Sequence, residues 1–173
     1  LSLPDAIPIY PDDVNLTVFP AFGRVGLGLL LMSLVMGARN VLANFEPADT
    51  LRLIHDEGVT FAWLVPTMAA LLLGAETLQP ENLRSLRGIG FVGATLPPAI
   101  RDQTLARLCP RIYEGYGLQE MGMLTMSSPE DRLRKPDSVG VPLLFAEVRI
   151  ADGHGRTLPP GSVGEIIART PNG

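Results

Sequence analysis

The sequence predicts an α/β fold: a mostly parallel sheet flanked by helices, followed by a small antiparallel β portion. Three observations predict it. Short β-like runs alternate with helical ones through the first two thirds of the chain. Two of those runs, Val59–Val65 and Gly88–Ala94, are too continuously apolar for half-exposed strands and read as strands buried on both faces. From Ser127 the character changes to strict alternation bounded by turn residues. The chain therefore divides near residue 127 into an α/β portion, 1–126, and a small β portion, 127–173.

The elements follow in order. Val14–Phe19 is a β candidate ended by Pro20, and Gly26–Met36 is an apolar helix stopped by Gly37. Asn40–Ala43 is the next strand. Pro47 opens a helix at a position where its missing N–H costs nothing, and an apolar stripe through Leu51 and Ile54 runs to Gly58. Val59–Val65 is a central strand, and Thr67–Leu73 a short helix stopped by Gly74. After the strand at Gly88–Ala94, Pro97-Pro98 opens a helix with Ile100, Leu105 and Leu108 roughly on one face. Ile112–Tyr116 is the last strand of the α/β portion. Ala146–Ile150 alternates as a strand with one wet face should, Asp152–Gly155 and Pro159–Gly161 are turns, and Val163–Ala168 is the returning strand.

Composition excludes several function classes. A hydrophobic fraction of 46% and a mean hydropathy of +0.24 place the chain among globular domains. The net charge of −4, with basic residues scattered, lacks the footprint of a nucleic-acid binder. One cysteine, Cys109, excludes an intramolecular disulfide and a thiolate metal cage; it precedes Pro110 with no neighbouring base and reads as structural. His55 sits among Arg52, Asp56 and Glu57 on an outer helix face, and His154 in a turn, so neither suggests a metal site. The longest apolar run, Val25–Ala38, is shorter than the ~20 residues a bilayer core needs, and reads as a buried helix. A cytoplasmic location is expected.

Two strand ends carry the candidate chemistry. Phe91-Val92-Gly93-Ala94-Thr95-Leu96-Pro97-Pro98 and Tyr113-Glu114-Gly115-Tyr116-Gly117-Leu118-Gln119-Glu120 both lie where a buried strand gives way to a loop. Ligands of open α/β sheets bind at such carboxyl ends. Small residues there let a flat ring approach the backbone, and a tyrosine supplies a stacking face worth roughly 1–3 kcal/mol by analogy with base–aromatic stacking. Taken singly, each could be a tight turn.

Read together with the rest, these segments resemble the superfamily of AMP-forming acyl-CoA synthetases, luciferases and peptide-synthetase adenylation domains. Gly93-Ala94-Thr95-Leu96-Pro97-Pro98 resembles that family's Gly-Ala-Pro-Leu-Pro-Pro segment. Glu114-Gly115-Tyr116-Gly117-Leu118-Gln119-Glu120 resembles its Glu-Gly-Tyr-Gly-x-Thr-Glu motif. Gly140-Val141-Pro142-Leu143, Glu147–Ile150 and Pro160–Ile166 are similar to the stretches that follow. Phe19-Pro20-Ala21-Phe22 and Val65-Pro66-Thr67-Met68 resemble segments lining an acyl tunnel. The likeness is collinear from about Asp13 to the end.

The resemblance implies a two-step ligase using ATP, Mg2+ and coenzyme A, with a carboxylic acid as substrate. Gly93, Ala94 and Thr95 would border adenine on one side and Glu114, Gly115, Tyr116 and Gly117 on the other. Gln119 and Glu120 would face the reacting phosphate, with Glu120 the magnesium ligand, since a hard cation wants carboxylate oxygen beside phosphate. Phe22, Val25, Thr67, Met68, Leu71, Val92 and Met121 are candidates for the acyl tunnel, with Gly117 and Gly122 leaving room along it. An apolar lining suits a fatty chain, because each buried methylene contributes about 0.8 kcal/mol. Each lining residue alone reads more readily as core packing, and only the set together suggests a tunnel.

Two positions depart from the family pattern. Gln119 stands where a threonine would reach the α-phosphate; an amide can donate there but is longer. Gly23-Arg24 stands where histidine commonly follows the Pro-x-Phe segment, and Arg24 reads as a surface cap on the following helix. The resemblance also implies a phosphate loop before Asp13, and a ribose-holding segment and a mobile lysine-bearing domain after Gly173. The chain is thus expected to be an internal piece, inactive alone. The alternatives are a degenerate or truncated homologue that only binds nucleotide or acyl ligand, and an aryl- or amino-acid adenylation domain. A dinucleotide-binding domain is discounted, since Gly26-x-Gly28 lacks a third glycine.

Overall fold

The computed structural model describes residues 9–171, so residues 1–8 and 172–173, the ends of the two expected portions, lie outside the described residues. It has one large sheet and one small one, the mostly parallel sheet with an antiparallel appendage that the sequence predicts. The first five strands are β1 (Val14–Thr17), β2 (Arg39–Leu42), β3 (Phe61–Leu64), β4 (Gly88–Phe91) and β5 (Ile112–Leu118). They run parallel in the order β2-β1-β3-β4-β5. β6 (Gly122–Ser127) and β7 (Val141–Pro142) extend this sheet antiparallel, and β8 (Glu147–Ala151) pairs with β9 (Glu165–Arg169) in the second.

Among the described residues the helices are α1 (Arg24–Met36), α2 (Pro47–Asp56), α3 (Pro66–Gly74), α4 (Pro98–Arg107) and α5 (Pro129–Arg134), with a 3-10 turn at Pro80–Leu83. The strand order reverses after β2, and parallel crossovers are right-handed, so the reversal puts α1 on one face of the sheet and α2, α3 and α4 on the other. Side chains alternate accordingly. Leu16, Ala62, Leu64, Ile89, Phe91 and Ile112 pack with Leu51, Ile54, Ala69, Leu72 and Leu108. Phe61, Trp63, Val92 and Tyr113 pack instead with Leu29 of α1. On that same face the Asn15 side-chain amide donates to Ser33 Oγ of α1 at 2.9 Å.

Gly88 and Gly90 are explained by this second layer. The rings of Phe61 and Trp63 lie across β4, and a Cβ at Gly90 would fall 2.5 Å from Trp63 Cε3, one at Gly88 2.4 Å from Phe61 Cε2. At the amino edge of the sheet, Asp13 ties three strand starts together. It accepts from Arg87 Nε at 3.0 Å, from the Thr60 hydroxyl at 2.7 Å and from the Tyr10 N–H at 2.8 Å.

Several expectations are corrected. The Gly26–Met36 helix is not buried: Gly26, Leu29 and Ser33 face the sheet, while Leu34 and Val35 are 72% and 83% exposed. An all-apolar helix carries no periodicity to tell its two sides apart. In α4 the inward row is Ile100, Thr104 and Leu108, spaced four residues apart, with Thr104 buried and Leu105 turned outward. β5 runs beyond Tyr116 to Leu118 because it turns straight back into β6, and the large sheet continues past residue 126 through β7.

Candidate active site

The four segments singled out by sequence all sit at the carboxyl edge of the parallel sheet. Phe19–Phe22 follows β1, Val65–Met68 follows β3, Gly93–Pro98 follows β4 and Tyr116–Glu120 ends β5. β1 and β3 flank the point where strand order reverses, the place at which an open α/β sheet opens a crevice.

The two candidate adenine-side tips are neighbours. Phe91 is in register with Glu114, so Gly93 and Tyr116 leave adjacent strands at one level. Gly93 makes the turn in the left-handed region (φ 85°), and Gly93, Ala94 and Thr95 are exposed. Gly115 is buried, since a Cβ there would lie 2.4 Å from Met123 Sδ; Tyr116 is half-buried.

The Glu114 side chain is engaged within the protein. It is buried, with Oε1 accepting the Leu96 N–H at 3.1 Å and Oε2 paired with Arg132. Arg132 Nη1 in turn donates to the Pro136 carbonyl at 3.2 Å. Glu114 therefore fastens the turn after β4 to β5, and Arg132 fastens Glu114 to α5. The sequence reading assigns Arg132 no role. Its signal was Ser128-Pro129-Glu130-Asp131, which forms a capping box: Ser128 Oγ accepts from the Asp131 N–H, and Asp131 accepts from the Ser128 N–H, both at 3.1 Å. The bond from the Ser128 N–H, above all, holds the Asp131 carboxyl below the usual carboxylate range.

Gln119 and Glu120 occupy the exposed tip of the β5–β6 hairpin, and Glu120 makes no ion pair among the described residues. Gly117 and Gly122 do not leave room along a tunnel. A Cβ at Gly117 would collide with the Gly122 carbonyl at 2.2 Å, and Gly122 (φ 88°) makes space for the guanidinium of Arg24. Arg24 is no surface cap: it reaches from the first turn of α1 to the hairpin, where Nη1 donates to the Glu120 carbonyl at 3.4 Å.

The seven tunnel candidates do not form one lining. Val25 and Val92 pack in the layer beneath α1, and Met68 packs in the layer on the other face. Met121 is half-buried at the hairpin tip, Thr67 is exposed, and Phe22 and Leu71 are 95% and 55% exposed. Cys109 is buried and bonded to the carbonyls of Leu86 and Arg111, and burial pushes its thiol pKa up, as befits a structural cysteine. His55 is exposed beside a groove between α2 and the Pro80–Leu83 turn, away from the strand ends.

Fold and motif positions together define an adenylate-forming, AMP-binding class of protein. The family model for AMP-binding enzymes matches residues 2–173, and the chain belongs to that family. It is 31% identical, over 94% of its length, to a medium/long-chain-fatty-acid–CoA ligase of Mycobacterium tuberculosis. It is 32% identical, over 93% of its length, to a feruloyl-CoA synthase of an Amycolatopsis species. Among solved structures it is similar to O-succinylbenzoate coenzyme A synthetase of Bacillus subtilis in complex with ATP and magnesium ion, with a TM-score of 0.83 at 30% identity over 96% of the chain. The chain spans 29%, 33% and 34% of these three proteins respectively.

Proposed function

We propose that the full-length protein containing this chain joins a carboxylic acid to coenzyme A through an acyl adenylate. A carboxylate oxygen attacks the α-phosphorus of ATP and pyrophosphate leaves; the thiolate of coenzyme A then attacks the acyl carbonyl and AMP leaves. The observation that carries this reading is the side-by-side placement of the Gly93–Thr95 turn and Tyr116 at the sheet's carboxyl edge, held by Glu114. Such a pair forms a slot of small residues and one aromatic face, suited to a purine. Positioning and charge neutralisation then supply most of the catalysis.

Magnesium fits the tip. Mg2+ keeps its waters and takes one or two carboxylates plus substrate phosphates, and Glu120 offers one exposed carboxylate with no protein partner among the described residues. When bound, the ion would neutralise phosphate charge, while Glu120 orients it and Gln119 donates to phosphate. Val25 and Val92, packed in one layer beneath α1, border the acyl side, with Met121 at the hairpin tip. A fatty acid is the proposed substrate, supported by this apolar border and by the fatty-acid ligase among the relatives. A cytoplasmic location is part of the same proposal; no helix among the described residues is long and apolar enough to cross a membrane.

The test is acid-dependent ATP–pyrophosphate exchange. The full-length protein should exchange label with a medium- or long-chain fatty acid and form acyl-CoA when coenzyme A is added. The 173-residue chain alone should not. Absence of exchange by the full-length protein with aliphatic, aryl and amino acids alike would refute the ligase reading.

A further inference from the structure

Gln119 and Gly23-Arg24, the two departures from the family pattern, lie far apart in sequence, and Arg24 reaches the hairpin tip that carries Gln119. Arg24 Nη1 donates to the carbonyl of Glu120, and Nη2 lies so close to Gly122 that a Cβ there would be 2.7 Å away. The guanidinium is thus seated on the hairpin tip that carries Gln119 and Glu120. It forms no ion pair among the described residues, and α1 has no acidic residue in its first turn. Helix stability does not explain a cation here, because the helix dipole opposes positive charge at an N-terminus. Arg24 binds the backbone of Glu120 and leaves that carboxylate clear. One mouth therefore presents a cation and a carboxylate that do not neutralise each other, the arrangement wanted by an oxyanion bound beside a metal ion.

We propose that Arg24 is an oxyanion-binding residue at the point where acid and nucleotide meet, adding a charged donor beside the longer amide of Gln119. The inference rests on the ligase reading. A guanidinium suits the role because its charge is permanent and its planar fork can grip two oxygens of a carboxylate or phosphate at once. Val25, the next residue, packs with Val92 on the acyl side, so Arg24 stands between the acyl border and the phosphate-side tip.

The experiment is pyrophosphate exchange by the full-length protein with acid and ATP varied separately. Arg24→Gln is expected to lower kcat/KM about 10²-fold at unchanged Tm, the usual loss when one preorganised charge-stabilising donor is removed. A rise in KM for the acid identifies its carboxylate as the oxyanion; a rise in KM for ATP, or a fall in kcat alone, identifies the phosphate. Arg24→Lys, which keeps the charge, should recover about a tenfold share of the loss, and Gln119→Thr added to Arg24→Gln should recover part of it as well. Unchanged kcat and KM in Arg24→Gln overturn the inference while the ligase reading stands. A lysine variant as poor as the glutamine variant overturns a charge-based role, and a double variant no better than Arg24→Gln overturns the link to Gln119. A parent that shows no exchange with any acid overturns the ligase reading, and this inference with it.

Discussion

The backbone N–H of Leu96 donates to Oε1 of Glu114 at 3.1 Å, so the turn after β4 hangs from a carboxylate on the neighbouring strand. Arg132, from α5, holds the other oxygen of that carboxylate, and both side chains are buried. Removing one partner of a buried ion pair leaves an uncompensated charge, which typically costs about 3–5 kcal/mol. Arg132→Met should therefore destabilise the full-length protein by about that amount in urea unfolding, and should raise KM for ATP by loosening the Gly93–Thr95 turn. Combining Arg132→Met with Glu114→Gln should cost less than the sum of the two. Strict additivity would mean that the pair does not couple.

The contact between Gly90 and the Trp63 ring leads to a second prediction. Gly90→Ala places a methyl 2.5 Å from Trp63 Cε3 within a layer in which the Phe61 ring centroid stands 5.7 Å from those of both Trp63 and Tyr113. Overpacking of this kind costs about 1–3 kcal/mol. In a Trp63→Leu background, where the ring is gone, the same alanine should become neutral or stabilising. A Gly90→Ala change that leaves the parent's Tm untouched would contradict the packing described here.

Asp13 predicts a pH dependence. Burial pushes its carboxyl up, but hydrogen bonds from Arg87, the Tyr10 N–H and Thr60, with the charge of Arg87, outweigh that and hold it below its ordinary value. A carboxyl depressed in the folded state contributes stability that is fully present above the unfolded pKa of about 3.9 and is lost as pH falls through the folded value. Stability of the parent should thus drop below about pH 5. Asp13→Asn should be less stable at neutral pH and show a shallower acid loss. Parallel Tm-against-pH curves for the two proteins would exclude the linkage.

Glu120 is exposed at the hairpin tip, so its replacement should spare the fold while affecting any metal-dependent step. Glu120→Gln in the full-length protein should keep its Tm and lose about 10²-fold or more in pyrophosphate exchange, in the range seen for loss of a charge-stabilising group. The Mg2+ concentration giving half-maximal rate should rise. A normal magnesium titration would remove Glu120 from the metal site.

Much of this molecule was legible in local chemistry. Proline at the start of α2 and α4, and left-handed Gly37 at the end of α1, mark those elements in the sequence as they do in the structure. The apolar runs through Phe61–Leu64 and Gly88–Phe91 announced strands covered on both faces. β6 was not legible, because Gly122–Ser127 has neither a clean alternation nor a turn signal before it. α5 was overlooked although its capping box stands in the sequence.

The sequence by itself determined most of the elements, β6 and α5 apart, together with the glycine-bearing strand ends and the family, since those depend on neighbours along the chain. Tertiary structure decided which ends meet. The reversal of strand order after β2 puts α1 alone on its face of the sheet, and it is this reversal that lets Arg24 reach the hairpin tip and separates Val25 from Met68. It decided too that the Glu114 side chain is a fastener, because only the pairing of β4 with β5 brings its carboxylate to the Leu96 N–H. Hydrogen bonds and ion pairs between distant residues depend on distance in space, and that distance exists only once the sheet has assembled.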